Sequence, residues 1–242
     1  MTSTAQRDPG VNDGYGAAVS DESVPMSEPP PPQPVRQRFH QQLDEIDIRV
    51  LRLFALVGEG VAAATEHFLS GDTQAAREMS EKDILLDELE RDLEVLTERE
   101  LLLESPMAGD MRYLLSVLRV VPELERSGDL AEHVAQRAAT GLAQRLTPTV
   151  RGMVERMGTI CVDMWRGAAD AWAERDGEAA DRLDRADDEL DVLHDQLIEE
   201  LAKGDQALAD ALQTTLVARF YERLGDHAVH IAERLRYLAP RP

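Results

Sequence analysis

The sequence predicts an all-α fold: two tandem, similar three-helix bundles, six long helices in all, preceded by a disordered Pro-rich N-terminal tail. Three observations predict it. Apolar residues recur at spacings of three and four along most of the chain, the period of one helical face. Aromatic residues make up only 4% of the chain, and glycine and proline are sparse outside the N-terminus and a few breaks, which is the composition of a helical protein. The chain also repeats itself. Glu125-Arg126-Ser127-Gly128-Asp129 returns as Glu222-Arg223-Leu224-Gly225-Asp226, a shift of 97 positions. Asp83-Ile84-Leu85-Leu86-Asp87 returns as Asp187-Asp188-Glu189-Leu190-Asp191, a shift of 104.

The elements follow in order. Residues 1–35 are polar and run through Pro29-Pro30-Pro31-Pro32-Gln33-Pro34, a tail with a polyproline II end. A first repeat is expected over 36–145 and a second over 146–242. Phe39, Leu43, Ile46, Val50, Leu53 and Val57 form the stripe of a first helix, which stops at Ser70-Gly71-Asp72, a glycine stop followed by an aspartate start. A second helix spans about 73 to 103, with Leu86, Leu89, Leu93 and Leu96 as its stripe, and Ser105-Pro106 ends it because proline has no N–H to donate. A third runs from about 108 to 141 and carries Pro122, which is expected to kink it. Thr147-Pro148 reads as an N-cap with proline at the first helical position. It opens helices at about 149–174, 178–203 and 206–238, separated by turns at Asp176-Gly177 and Lys203-Gly204-Asp205. Helices of roughly thirty residues are about 45 Å long, and short connections make sequential neighbours antiparallel.

Bulk properties narrow the function. A formal net charge of −21 disfavours nucleic acid and anionic membrane as partners and suits cations or a basic patch on another protein. The lone Cys161 excludes an intramolecular disulfide and a cysteine-based zinc cluster within one chain, and fits a reducing cytosol. No apolar run approaches the ~18 residues of a membrane span, so membrane association is expected only through a partner, without direct insertion.

The repeated motifs carry the chemistry. The third helix of each repeat has a stripe, Leu124, Ser127, Ala131, Val134, Ala138, which a shift of 97 turns into Tyr221, Leu224, Ala228, Ile231, Leu235. Glu125 and Asp129 lie beside the stripe, as do Glu222 and Asp226, and His133 and His230 continue each row one turn on. Two like charges one turn apart repel, so a recurring pair points to a cation between them. Asp83 and Asp87, with their counterparts Asp187 and Asp191, flank the leucine stripe of the second helix in each repeat. If the second and third helices pack side by side, four carboxylates meet. Carboxylates with an occasional imidazole are ligands for magnesium, manganese, iron or zinc. The bland reading is a solvated acidic face. Asp184–Asp188 and Asp191–Asp195 show the same spacing, but Asp184, Asp188 and Asp195 fall on Ser80, Ile84 and Arg91 under the 104 shift. Spacing leaves both readings open. His133 and His230 are expected beside the ligands or as ligands, and Arg126 and Arg223 as salt-bridge partners. Trp165 and Trp172 read as packing residues. No Gly-x4-Gly-Lys-Ser/Thr loop, no His-Glu-x2-His and no paired Glu-x2-His is present, Asp191-x2-His194 being the nearest match to the last; no catalytic residue is assigned.

These motifs resemble the PhoU family, phosphate-signalling accessory proteins of bacteria, over about residues 36–239. The resemblance rests on Glu125-Arg-Ser-Gly-Asp129, on Glu222-Arg-Leu-Gly-Asp226-His-Ala-Val-His-Ile-Ala-Glu233, and on Pro106-Met-Ala-Gly-Asp110-Met-Arg112, similar to the family's Pro-x-Ala-x-Asp-Leu-Arg segment. It implies two similar three-helix bundles whose acidic signatures bind metal ions, often as multinuclear clusters. Carried over by position, the metal ligands are Asp83, Asp87, Glu125 and Asp129 in the first repeat and Asp187, Asp191, Glu222 and Asp226 in the second. It also implies a cytoplasmic, non-enzymatic negative regulator of phosphate-starvation genes. The expected partners are the ATPase subunit of a phosphate ABC transporter, a phosphate sensor histidine kinase, and further copies of the chain in a homodimer or higher homo-oligomer. The alternative is a metal-free helical adaptor of the same fold.

Overall fold

The computed structural model describes residues 35–71, 75–104 and 106–238. The expected tail, and the breaks at Asp72 and Ser105, lie outside the described residues. Among the described residues six helices follow one another: α1 (Val35–Ser70), α2 (Ala75–Leu103), α3 (Ala108–Ala138), α4 (Pro148–Glu174), α5 (Ala179–Ala202) and α6 (Leu208–Leu238). A single 3₁₀ turn at Ala143–Arg145, which the sequence reading missed, links α3 to α4.

The ends of these helices have local causes. Gly71 takes φ +75° and its N–H returns to the His67 carbonyl at 2.9 Å, closing α1 in a left-handed conformation that glycine adopts without strain. Thr147 caps α4 by accepting from the Val150 N–H at 3.4 Å, with Pro148 at the first helical position. Helix α4 stops at Glu174, where the sequence places its end. The left-handed residue that closes it is Arg175, at φ 57°. A tertiary contact holds it there: Nη2 of Arg175 donates to Oδ1 of Asp47 on α1 at 2.6 Å. The same oxygen accepts from Tyr113 Oη at 3.0 Å and Trp172 Nε1 at 3.1 Å. Pro122 does not end α3, which continues through it to Ala138.

Within the first repeat, α1, α2 and α3 pack on one another; α4 and α6 pack together in the second, and α5 against both. Between repeats, α1 packs on α4 and α3 on α6. The buried apolar residues therefore form one cluster through both repeats, and Val35–Pro242 is one compact unit. The predicted α3 stripe and its α6 counterpart are fully buried. So are Trp165 and Trp172, with Phe54 of α1 packed between them at 6.4 and 5.8 Å. Where α1 crosses α4, a Cβ on Gly158 would stand 2.4 Å from Thr65 Cγ2. Thr65 in turn shares a buried hydrogen bond of 2.9 Å with the Tyr221 hydroxyl, so a polar pair inside an apolar core is satisfied.

Candidate functional site

The glycine inside each acidic signature positions the site. A Cβ on Gly128 would come within 2.5 Å of Leu86 Cδ1, and one on Gly225 within 2.3 Å of Asp187 Oδ1 and 2.7 Å of Leu190 Cδ2. Glycine inside a helix costs roughly 0.5–1 kcal/mol relative to alanine; here it buys close approach of α2 to α3 and of α5 to α6. That approach sets the aspartates of the second helix beside the carboxylates of the third.

In the first repeat Asp83 and Asp129 face one another closely enough for each charge to act on the other. Burial, with the charges of Asp129, Glu132 and Asp87, pushes Asp83 up to about 6. Burial, then Asp129, Glu90 and Asp87, pushes Glu125 up to about 7. Asp129 is raised mainly by burial, while the neighbouring His133 pulls it down. Asp87 keeps a loose pair with Arg91 at 3.7 Å.

The second repeat reproduces the crowding. Burial, followed by Asp226, Asp191, Glu222 and Asp184, pushes Asp187 up to about 7. Asp191 and Glu222 are raised by burial first and by Asp226 next. Arg219 forms an ion pair with Glu222. Oδ1 of Asp187 and Oε2 of Glu222 are nevertheless buried without a hydrogen-bond partner. All eight sequence-predicted carboxylates thus fall into two groups of four, one per repeat, as the repeat shifts require.

The structure adds members that the sequence reading did not assign to the site. Glu90 and Glu132 act on the first group, and each lies three residues beyond a predicted ligand, on the same helical ridge. Asp184, read as a solvated residue, acts on Asp187. His194 stands near Asp191 and lowers it; it occupies the position of Glu90 under the 104 shift. The two predicted histidines part company. His133 stays beside Asp129, stacked on Phe220 at 5.3 Å, with Nδ1 buried and unpartnered. His230 lines a cleft between α3 and α6 together with Arg126. Arg126 pairs with Glu123 at 3.5 Å, and Arg223 makes no ion pair among the described residues.

The donor set fits a hard cation: carboxylate oxygens that burial and mutual repulsion leave short of positive charge, two of them unpartnered in the second group. Among the described residues no three His, Cys, Asp or Glu side chains already converge on one point that could hold an ion. A cation would therefore have to draw the facing rows together.

Comparison with known proteins places the chain. The model of the PhoU domain matches it twice, at residues 50–138 and 154–235. The phosphate-specific transport system accessory protein PhoU homolog 1 of Mycobacterium leprae (strain TN) is 32% identical over 208 residues, covering 85% of this chain and 94% of the relative. PhoU homolog 2 of Mycobacterium tuberculosis (strain ATCC 25618 / H37Rv) is likewise 32% identical, over 85% of this chain and 98% of its own length. The crystal structure of PhoU from Pseudomonas aeruginosa superposes with a TM-score of 0.78 at 29% identity, covering 83% of this chain and 98% of that one.

Proposed function

The chain belongs to the PhoU family, and from that premise we propose that it is a metal-binding, non-enzymatic regulator of phosphate uptake and of the response to phosphate starvation. The observation that carries this reading is the pairing of carboxylate groups. Two repeats that diverge elsewhere both keep four mutually repelling carboxylates where their second and third helices meet. Close-approach glycines hold both in place. Like-charge crowding destabilises a fold unless something cationic offsets it.

The residues that would hold the ion are Asp83, Asp87, Glu125 and Asp129 in one group and Asp187, Asp191, Glu222 and Asp226 in the other. Magnesium, manganese, iron and zinc all suit oxygen-rich donors with an occasional imidazole, and a bound ion would supply the positive charge that each group lacks. His133 and His194 stand where they can join or orient the carboxylates. Arg126 and Arg223 follow the signature glutamates directly and temper the charge around them.

The output of such a protein is a contact. The relatives are named accessory proteins of phosphate-specific transport, and among the described residues no helix is long and apolar enough to cross a membrane. The proposed partners are the cytoplasmic faces of a phosphate transporter, through its ATPase subunit, and of a sensor histidine kinase, with repression of starvation genes as the result. Leu208, Leu212 and Leu216 give α6 an exposed apolar row that such a contact, or one between copies of the chain, could cover. Expression of phosphate-starvation genes in a deletion strain tests the reading. Loss of repression at high phosphate is expected; intact repression with no second copy present would refute it.

The metal-free adaptor stays as a second reading because no three side chains converge on an ion site among the described residues. Metal analysis of protein purified without chelator separates the two.

A further inference from the structure

The two sides of the α3–α6 crossing are unequal. A shift of 97 carries each position on α3 onto one on α6, so every residue at the crossing has a counterpart. On one side Phe220 fills the space, with the His133 ring stacked on it at 5.3 Å and the Arg137 guanidinium 4.8 Å from its centre. The counterparts of Phe220, His133 and Arg137 are Glu123, His230 and Arg234. With no ring between them, a cleft of about 550 Å³ opens there, lined by Arg119, Glu123, Arg126, His230, Glu233 and Arg234 among others.

Glu123 of this lining touches a buried polar pair whose counterparts are apolar. Ser127 and His227 are 0% and 5% exposed, and Ser127 Oγ lies 2.9 Å from His227 Nδ1. His227 Nε2 faces Glu123 Oε2 at 3.4 Å. The counterparts of Ser127 and His227 are Leu224 and Leu130. A buried serine and histidine are harder to accommodate than two leucines, so the substitution has a function other than packing.

The charge of the lining is also reversed relative to the molecule. Acidic residues outnumber lysine and arginine 47 to 26 in the chain, yet in the cleft three arginines face two glutamates. Arg119 and Arg234 make no ion pair among the described residues, and Arg126 reaches Glu123 only at 3.5 Å. Guanidinium groups present forked donors that match phosphate oxygens. The glutamates offer acceptors for hydroxyl groups. The volume falls in the range of about 300–1,000 Å³ typical of small-molecule sites.

We propose that this cleft binds a small phosphate ester, its phosphate held by Arg119, Arg126 and Arg234 and its hydroxyls donating to Glu123 and Glu233. The proposal goes beyond the metal-binding regulatory reading and does not depend on it.

Calorimetric titration of the full chain with ribose 5-phosphate, with inorganic phosphate and with ribose tests it. Saturable binding of one ribose 5-phosphate per chain is expected, with phosphate weaker and ribose without effect. The double variant Arg119→Gln/Arg234→Gln should weaken the ester at least tenfold. The control Arg156→Gln, which removes an exposed arginine paired with Glu189, should change it less than twofold. Glu123→Phe, which copies the filled side, should abolish binding. Circular dichroism establishes that each variant is folded, and the two surface arginines keep the test available if Glu123→Phe is not. Absence of saturable ester binding would overturn the proposal. So would undiminished binding by the double variant, the result expected if phosphate were held at the carboxylate groups instead, or free phosphate binding as tightly as the ester.

Discussion

Gly225 and Asp187 are in contact across the α5–α6 packing: a Cβ at position 225 would stand 2.3 Å from the Asp187 Oδ1 atom. The glycine of the repeated signature is therefore a spacer. It lets a leucine and an aspartate of the neighbouring helix sit against the helix backbone, and it sets how closely the two rows of carboxylates face each other.

Replacing Gly225 by alanine tests this directly. Helix propensity favours the change by about 1 kcal/mol, whereas overpacking against Asp187 and Leu190 opposes it by about 1–3 kcal/mol. A net loss of about 1 kcal/mol is expected in urea denaturation, with metal lost from the second carboxylate group and retained at the first. A Gly225→Ala protein with unchanged metal content would show that the spacing of α5 and α6 is not what the site requires.

The pH dependence of the metal-free protein has a defined sign. Asp83 is pushed up to about 6, and Glu125 and Asp187 to about 7, in the folded state. Unfolded, these groups titrate near 4. The folded state therefore holds their protons more tightly, and the stability this contributes is present below about pH 4 and is lost as pH rises through 6 to 7. Metal-free protein should melt at a lower temperature at pH 8 than at pH 5.5, and divalent cation should narrow or reverse the difference. Melting temperatures at the two pH values, with and without chelator, measure this; a metal-free protein more stable at pH 8 would contradict the crowding.

Asp47 joins the two repeats. One of its oxygens accepts from Tyr113, Trp172 and Arg175, and the last of these is a non-glycine residue in the left-handed region. Asp47→Ala leaves the Trp172 and Tyr113 donors without their acceptor and frees the end of α4. A loss of about 1–3 kcal/mol is expected in urea denaturation, with a change in tryptophan fluorescence and no change in metal content. A variant as stable as the parent would mean that solvent takes over all three donors.

Much of this architecture is legible in the sequence because its causes are local. The stripes of α3 and α6 follow the helical period and are buried as the period requires. Gly71 and the Thr147-Pro148 pair mark helix boundaries because backbone conformation is set there by the residue itself. The left-handed conformation of Arg175 is not legible for the opposite reason: it is held by Asp47 on another helix, beside the stronger local turn signal of Asp176-Gly177. The eight carboxylates could be singled out as candidates because duplication provides an internal comparison. That comparison also hid Asp184, whose counterpart Ser80 is not acidic, and Glu90, whose counterpart is His194. The roles of Gly128 and Gly225 as spacers, and the meeting of Ser127 with His227, depend on residues brought together by packing, and no spacing along the chain reveals them.

Elemental analysis of protein purified without chelator shows whether each repeat holds metal between its second and third helices. Bound divalent or trivalent metal is expected in the parent chain. About half of that amount should remain in Asp83→Ala/Asp129→Ala, with helical content by circular dichroism unchanged, and none when Asp187→Ala and Asp226→Ala are added. A folded parent protein carrying no metal above the buffer background, or a double variant that keeps its full complement, would contradict this expectation.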